Sequence, residues 1–263
     1  MNEPAHIPPL PPKPPNLMPV WLAALLAVLW LIVRHLDISF VTLINGVSDM
    51  AEYIGRFSHP DFSALTKYLE LMGVTLVTAL WGTLLAGVAA FILAPLAARN
   101  FTPHPALYRA TRELLSLMRA MPDLLLALLF VNALGLGPLP GVFALGIHTA
   151  GFLGKFFAEC MERIDRGVVE GVAATGANLP QRIMYAAWPS IRREATGYTL
   201  YIVDRNVRMA SVLGLVGGGG IGLELQATLR LFNYDQSSAL IVVLVVTILA
   251  IDYLSSWLRE KVS

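Results

Sequence analysis

Several things are scarce in this 263-residue chain, and each scarcity excludes something. There is a single cysteine, Cys160, so no disulfide framework can hold the fold. Charged residues make up 14% of the chain against 56% hydrophobic, which is too few for an ordinary soluble domain. The net charge of +1 offers no basic surface for nucleic acid. No G-x-x-x-x-G-K-[ST] run occurs, so the chain alone has no nucleotide loop. His148 with Asp204 is the one pair that resembles a catalytic set, and neither a nucleophile nor a metal-ligand spacing accompanies it. An internal repeat, the mark of many secondary transporters, is also missing.

What the chain has instead is long charge-free stretches. No Lys, Arg, Asp or Glu occurs from Pro14 to Val33, Leu71 to Ala98, Leu124 to Gly154, or Gln236 to Ile251. A helix needs about 20 apolar residues to cross a hydrocarbon core of roughly 30 Å. The third stretch is long enough for two crossings, with Gly135-Leu-Gly-Pro-Leu-Pro-Gly141 as the turn between them. The pattern predicts six spans, at about 17–34, 71–98, 120–136, 140–159, 195–215 and 238–257. Basic residues fix the orientation. Lys13, Arg99, Arg109, Arg112, Arg119, Arg163, Arg166, Arg182, Arg192, Arg193, Arg259 and Lys261 fall on one side, against Arg34, Arg56, Lys67 and Arg230 on the other. Both termini are therefore expected in the cytoplasm.

The expected division is a Pro-rich cytoplasmic tail over 1–16, a first helix with an outside connection over 17–70, and a main transmembrane domain over 71–259. Eight prolines between Pro4 and Pro19 keep the tail out of a helix. The first span reads as a retained anchor, because Arg34-His-Leu-Asp37 offers no cleavage site. Whether residues 35–70 are helical stays open. Leu107, Leu114, Leu117 and Met118, interleaved with Arg109, Arg112, Glu113 and Arg119, predict an amphipathic helix along the inner membrane face. Pro122 is expected to start the third span, with Asp123 capping it. Lys155 is expected to snorkel.

The fifth span concentrates the chemistry. Tyr198-Thr-Leu-Tyr-Ile-Val-Asp-Arg-Asn-Val-Arg-Met-Ala-Ser211 carries three formal charges, each costing about 2.5–3.5 kcal/mol at a helix centre. Tyr201, Asp204, Arg208 and Ser211 share a face by spacing, and Asp204 and Arg208 form a favoured i,i+4 pair. Arg205 is left over beside them, an excess positive charge suited to an anion, while Asn206 points away from Arg208. His148 in the fourth span is either a helix–helix hydrogen bonder or a further path residue. Gly217-Gly-Gly-Gly-Ile-Gly222, which contains Gly218, Gly219 and Gly220, reads as a close-packed turn or hinge.

Residues 168–189 are charged and turn-punctuated. A short amphipathic helix over Val168 to Ala174, containing Glu170 and Gly171, runs into a bend at Gly176 and then to Pro189. Such a segment presents a rigid knob at the membrane surface. Its Glu170, Gly176 and Pro189 spacing resembles the loop by which ABC-transporter permeases dock onto their ATPase subunits. In the family pattern two alanines follow the Glu, and Ile and Leu stand near the Pro. Here Gly171 and Val172, and Ala186 and Trp188, replace them.

Three stretches together resemble the permease subunit of phosphonate ABC importers, a branch of the binding-protein-dependent type I family. They are Phe130 to Pro138 running into Ala144 to Gly151, Glu170 to Asn178, and Asp204-Arg-Asn-Val-Arg208 leading into the glycine run. Methionine permeases are similar at the coupling loop but lack that arginine.

The resemblance implies an all-α integral membrane protein with about six transmembrane helices in the type I importer permease fold, set in a bacterial inner membrane. It implies a second copy of the chain, two cytoplasmic ATPase subunits that use ATP and Mg, and an outside phosphonate-binding protein. The chain itself would bind no cofactor and catalyse nothing. The path would carry a phosphonate or a related oxyanion such as phosphite or a phosphate ester. The alternatives are a permease for another small solute such as methionine, or a secondary transporter.

Overall fold

A computed structural model describes residues 17–35 and 40–262, and the Pro-rich tail expected over 1–16 lies outside them. The chain divides into two units, Met1–Gly55 and Arg56–Ser263. The first contains α1 (Met18–His35) and α2 (Phe40–Gly55), so part of the open 35–70 connection is helical. None of α1 is buried, as suits a helix whose surroundings are lipid.

The second unit contains α3 (Leu65–Leu96), α4 (Pro105–Ala120), α5 (Asp123–Leu134), α6 (Pro138–Glu162), α7 (Arg166–Ala174), α8 (Leu179–Arg182), α9 (Trp188–Gly214), α10 (Gly220–Arg230) and α11 (Tyr234–Val262). A single π-turn, Ile183–Ala187, joins α8 to α9. Helices α3 and α6 form the central pair. The inward stripe of α3 is Met72, Thr75, Ala79, Gly82, Thr83, Ala86, Ala90 and Ala94, almost all small. Small residues let helices approach closely where lipid offers no hydrophobic drive. Gly82 fits against Leu145, and Gly146 against Leu85. The opposite face of α3 leaves Trp81, Leu84, Val88 and Ile92 exposed.

Among the described residues, four helices are long and apolar enough to cross a membrane: α1, α3, α6 and α11. The expected third and fifth spans are not among them: α9, over the fifth, carries Asp204, Arg205 and Arg208, and the third is broken. Helix α5 has 12 residues, about 18 Å at 1.5 Å per residue, and is too short to cross alone. It meets α4 at an 85° bend, making a broken span or a re-entrant loop. Proline causes the break, because Pro122 has no N–H to continue α4.

Helix α4 is amphipathic as expected, but its inward side chains, Thr111 and Leu115, pack on α6. The α6 glycines Gly151 and Gly154 make room for Leu115 and the backbone beside it. Lys155 does not snorkel: its Nζ donates to Ser116 Oγ of α4 at 2.6 Å. Helix α3 begins at Leu65, earlier than the charge-free run at 71, and its exposed first turns include Lys67, which pairs with Glu224 of α10 at 2.6 Å.

Two apolar clusters make up the core. One, toward α7, contains Ala86, Ala90, Leu153, Phe157, Met161, Ile191 and Ile202. The other, toward α10, contains Met72, Ala79, Leu126, Leu145, Val207, Leu213 and Leu240. On α3, α6 and α9 alike, the residues between the two clusters are polar: Thr83, His148 with Thr149, and Asp204 to Asn206. A polar layer thus separates two apolar ones.

Candidate functional site

Asn206 is fully buried in this layer. Its amide donates to Thr83 Oγ1 at 2.9 Å and accepts from Thr149 Oγ1 at 3.2 Å. It therefore ties α9 to α3 and α6, and is enclosed where a path residue was expected. The reason is angular: Asn206 points to the side of α9 opposite Arg208, and that side faces the core.

The Asp204–Arg208 pair forms as a two-pronged bridge, with contacts of 2.8 and 2.5 Å. Asp204 is buried and the Arg208 side chain is 42% exposed. Ser211 is also buried, its hydroxyl donating to the Val207 carbonyl. The expected stripe of Tyr201, Asp204, Arg208 and Ser211 is therefore only half open. The open lane of α9 runs through Tyr201, Arg205 and Arg208, with spacing i, i+4, i+7.

Arg205 is not left over. Its Nη2 lies 3.4 Å from Asp123 Oδ2 and 3.2 Å from His148 Nε2. Asp123, expected as a helix cap, makes no capping hydrogen bond. Instead its carboxylate, 5% exposed, faces His148 and Arg205 from the first turn of α5. His148 Nδ1 is 2.8 Å from Asp123 Oδ1, with the Met121 carbonyl 3.0 Å away and better aligned. A guanidinium can only donate, so Nε2 accepts from Arg205 and the ring proton sits on Nδ1. The layer therefore sets a carboxylate against each of its two arginines, which answers the cation that the sequence left over.

Sequence reasoning missed Asp123 as a site residue. The signal was available: an ionisable residue at the edge of a long charge-free run demands a partner.

Beyond Tyr201 toward α7, a cavity of about 740 Å³ opens between α6, α9 and α11. Phe152, Arg193, Glu194, Tyr198, Tyr201 and Arg259 line it.

The knob forms as expected. Asp165 caps α7 by accepting from Gly167 N at 2.8 Å, and no α7 residue is buried. Glu170, Gly171 and Ala174 are exposed, while Val169 rests on the apolar cluster beneath. Gly176 adopts φ +85°, a left-handed turn that side chains other than glycine resist. Asn178 and Gln181 then form a reciprocal capping box. Pro189 occupies the first turn of α9, where its missing N–H costs little. Beside it Trp188 stacks on Phe91 at 4.4 Å and meets Phe157 edge-on, and Ala186 is buried. The departures at Ala186 and Trp188 thus pack on the core, whereas those at Gly171 and Val172 lie on α7, which buries none of its residues.

In the glycine run, Gly217, Gly219 and Gly220 have positive φ. Gly217 accepts from Gly137 N, Gly218 N donates to the Leu213 carbonyl, and Ile221 N donates to Thr75 Oγ1. The N–H groups of Gly218 and Ile221 are thereby used within the fold. Gly222 lies against α9, where any Cβ would strike the Ser211 carbonyl.

Residues 82–263 match the profile of the family described as "Binding-protein-dependent transport system inner membrane component". The chain is similar to the phosphite transport system permease protein PtxC of Stutzerimonas stutzeri, 37% identical over 83% of this chain and 80% of that protein. It is also similar to the phosphate-import permease protein PhnE of Mycolicibacterium smegmatis, 40% identical over 87% of this chain but only 43% of that protein. Among solved structures, a chain of the inward-facing MetNI methionine ABC transporter superposes with a TM-score of 0.62. It is 18% identical and covers 76% of this chain and 95% of its own.

Proposed function

Because the chain belongs to the binding-protein-dependent transport system inner membrane components, the permeases of ABC importers, we propose that it forms the path for a phosphorus oxyanion. Phosphite and phosphate are what the names of the two relatives give, and an organic phosphonate is what the sequence motifs resemble. The observation that carries the reading is the open lane of α9, where Tyr201 and Arg208 stand half exposed among buried neighbours. Arg208 presents a planar fork that matches two oxygens of an anion, and Asp204 moderates its charge.

In this reading α7 docks on a separate ATPase subunit through Glu170, Gly171 and Ala174, with Gly176 and Pro189 setting its angle. ATP and Mg belong to that subunit, and this chain binds no cofactor of its own. A binding protein delivers the anion from outside. Two copies of the chain enclose the path, both termini lie in the cytoplasm, and the glycine run is the hinge.

The test is ATP-driven phosphite uptake into proteoliposomes containing the permease, its ATPase and its binding protein. Arg208→Ala should nearly abolish uptake, and Arg208→Lys should reduce it strongly. Removing Arg208 alone strands buried Asp204, on the order of 3 kcal/mol, so the double change Asp204→Ala, Arg208→Ala is the decisive variant. It should stay folded and remain inactive. Normal uptake by the double variant would make Arg208 an insertion partner only.

A further inference from the structure

The two arginines of the open lane are held unequally. Arg208 is gripped by both oxygens of Asp204. Arg205 has one long contact to Asp123, at 3.4 Å, outside the usual 2.7–3.2 Å of a good N–H to O bond, and one to the uncharged acceptor Nε2 of His148 at 3.2 Å. Its Nη1 is buried and has no hydrogen-bond partner. A buried donor left unmade costs about 1–3 kcal/mol, so this guanidinium retains affinity for an acceptor. Its side chain is 29% exposed, on the same lane as Tyr201 and Arg208.

Asp123 is the fixed partner. It is 5% exposed, follows Pro122 at the start of α5, and is flanked by His148, whose ring is itself held by the Met121 carbonyl. The long arginine side chain can turn toward the lane, whereas the short, enclosed carboxylate cannot follow.

We propose that Arg205 is the second guanidinium to hold the passing oxyanion, and that Asp123, enclosed beside His148, is the carboxylate the oxyanion displaces to engage it. The inference rests on the reading of α9 as the wall of an oxyanion path. A tetrahedral phosphorus oxyanion shares negative charge over several oxygens and offers acceptors to both terminal nitrogens of Arg205. It leaves again because Asp123 reclaims the guanidinium. A path needs such competition, since a site that binds too tightly does not conduct. Asp123 and His148 are thus positioning residues that set how briefly the anion stays.

Asp123→Asn removes the competing charge at nearly constant shape. The probe is phosphite, titrated into the purified permease–ATPase complex without binding protein, alongside uptake in proteoliposomes with it. The Asn variant should bind phosphite about three- to tenfold tighter and import it more slowly. Adding Arg205→Gln should erase the gain in affinity. Unchanged affinity in a folded Asp123→Asn complex overturns the proposal, as does a gain that survives the second change.

If the Asn variant does not assemble, Arg205→Lys carries the test, because it keeps the charge opposite Asp123 and loses the fork. It should assemble normally and bind phosphite more weakly, and unchanged binding again overturns the proposal. A wild-type complex that hydrolyses ATP yet neither binds nor imports phosphite or methylphosphonate fails differently. The oxyanion path itself is then wrong, and this inference falls with it.

Discussion

Helix α7 and the second half of α9 are built in opposite ways. Helix α7 buries none of its residues, is capped by the adjacent Asp165, and ends in a glycine turn. Almost everything that shapes it lies within a dozen residues. The second half of α9 buries Asp204, Asn206 and Ser211, and Asn206 and Arg205 find their partners in Thr83, Asp123, His148 and Thr149 on three other helices. The docking role proposed for α7 calls for stiffness and exposure, which local sequence supplies. A polar layer between two apolar ones needs partners, and these come from far along the chain.

Glycines sharpen the contrast, because each region depends on one for a different reason. The largest effect is expected at Gly222, where α10 touches the backbone of α9. Gly222→Val puts two methyl groups into that contact, and overpacking of this kind costs about 1–3 kcal/mol or more. The variant should yield little folded protein, read as loss of the monodisperse peak and of thermal stability in detergent. A stable Gly222→Val protein would mean that the joint is looser than the packing implies.

Gly176→Asp should come next, with uptake lost while folded yield is retained. The strain of a left-handed φ in a non-glycine residue is only about 1–2 kcal/mol, and it falls on an exposed turn. The damage should be a misdirected α7, visible as weakened co-purification of the ATPase. Normal uptake by the inserted variant would contradict a docking role.

The smallest effect belongs to Gly171, exposed and with open space around it. Gly171→Ala should stabilise α7 by about 0.5–1 kcal/mol and leave uptake unchanged. A clear fall in uptake would show that the missing side chain is itself part of the docking surface.

Much of this was legible in sequence. The helices of α1, α6, α9 and α11, the knob and the glycine turn follow from runs of hydropathy and from Asp, Asn, Gly and Pro placed at their ends. The third span misled, since an apolar run of the right length says nothing of the 85° bend that Pro122 introduces. The site was half legible. Helical spacing identified the Asp204–Arg208 pair, because i,i+4 is a local relation. It also put Ser211 on the open face, whereas Ser211 is buried and bonds the Val207 carbonyl of its own helix.

By itself the sequence determined that this is a multi-pass membrane protein with an exposed, glycine-ended knob and one helix that concentrates formal charges. Hydropathy, turn chemistry and capping act over one or two turns, so a linear reading captures them. Only the tertiary structure decided which charges answer which. Arg205 is 82 residues from Asp123 and 57 from His148, and no periodicity links them. Their pairing turned an apparent surplus cation into a neutral and loosely closed pair. The physical reason is that a charge in an apolar surrounding is stabilised by whatever counter-charge the packing brings within reach, and packing is a property of the whole fold.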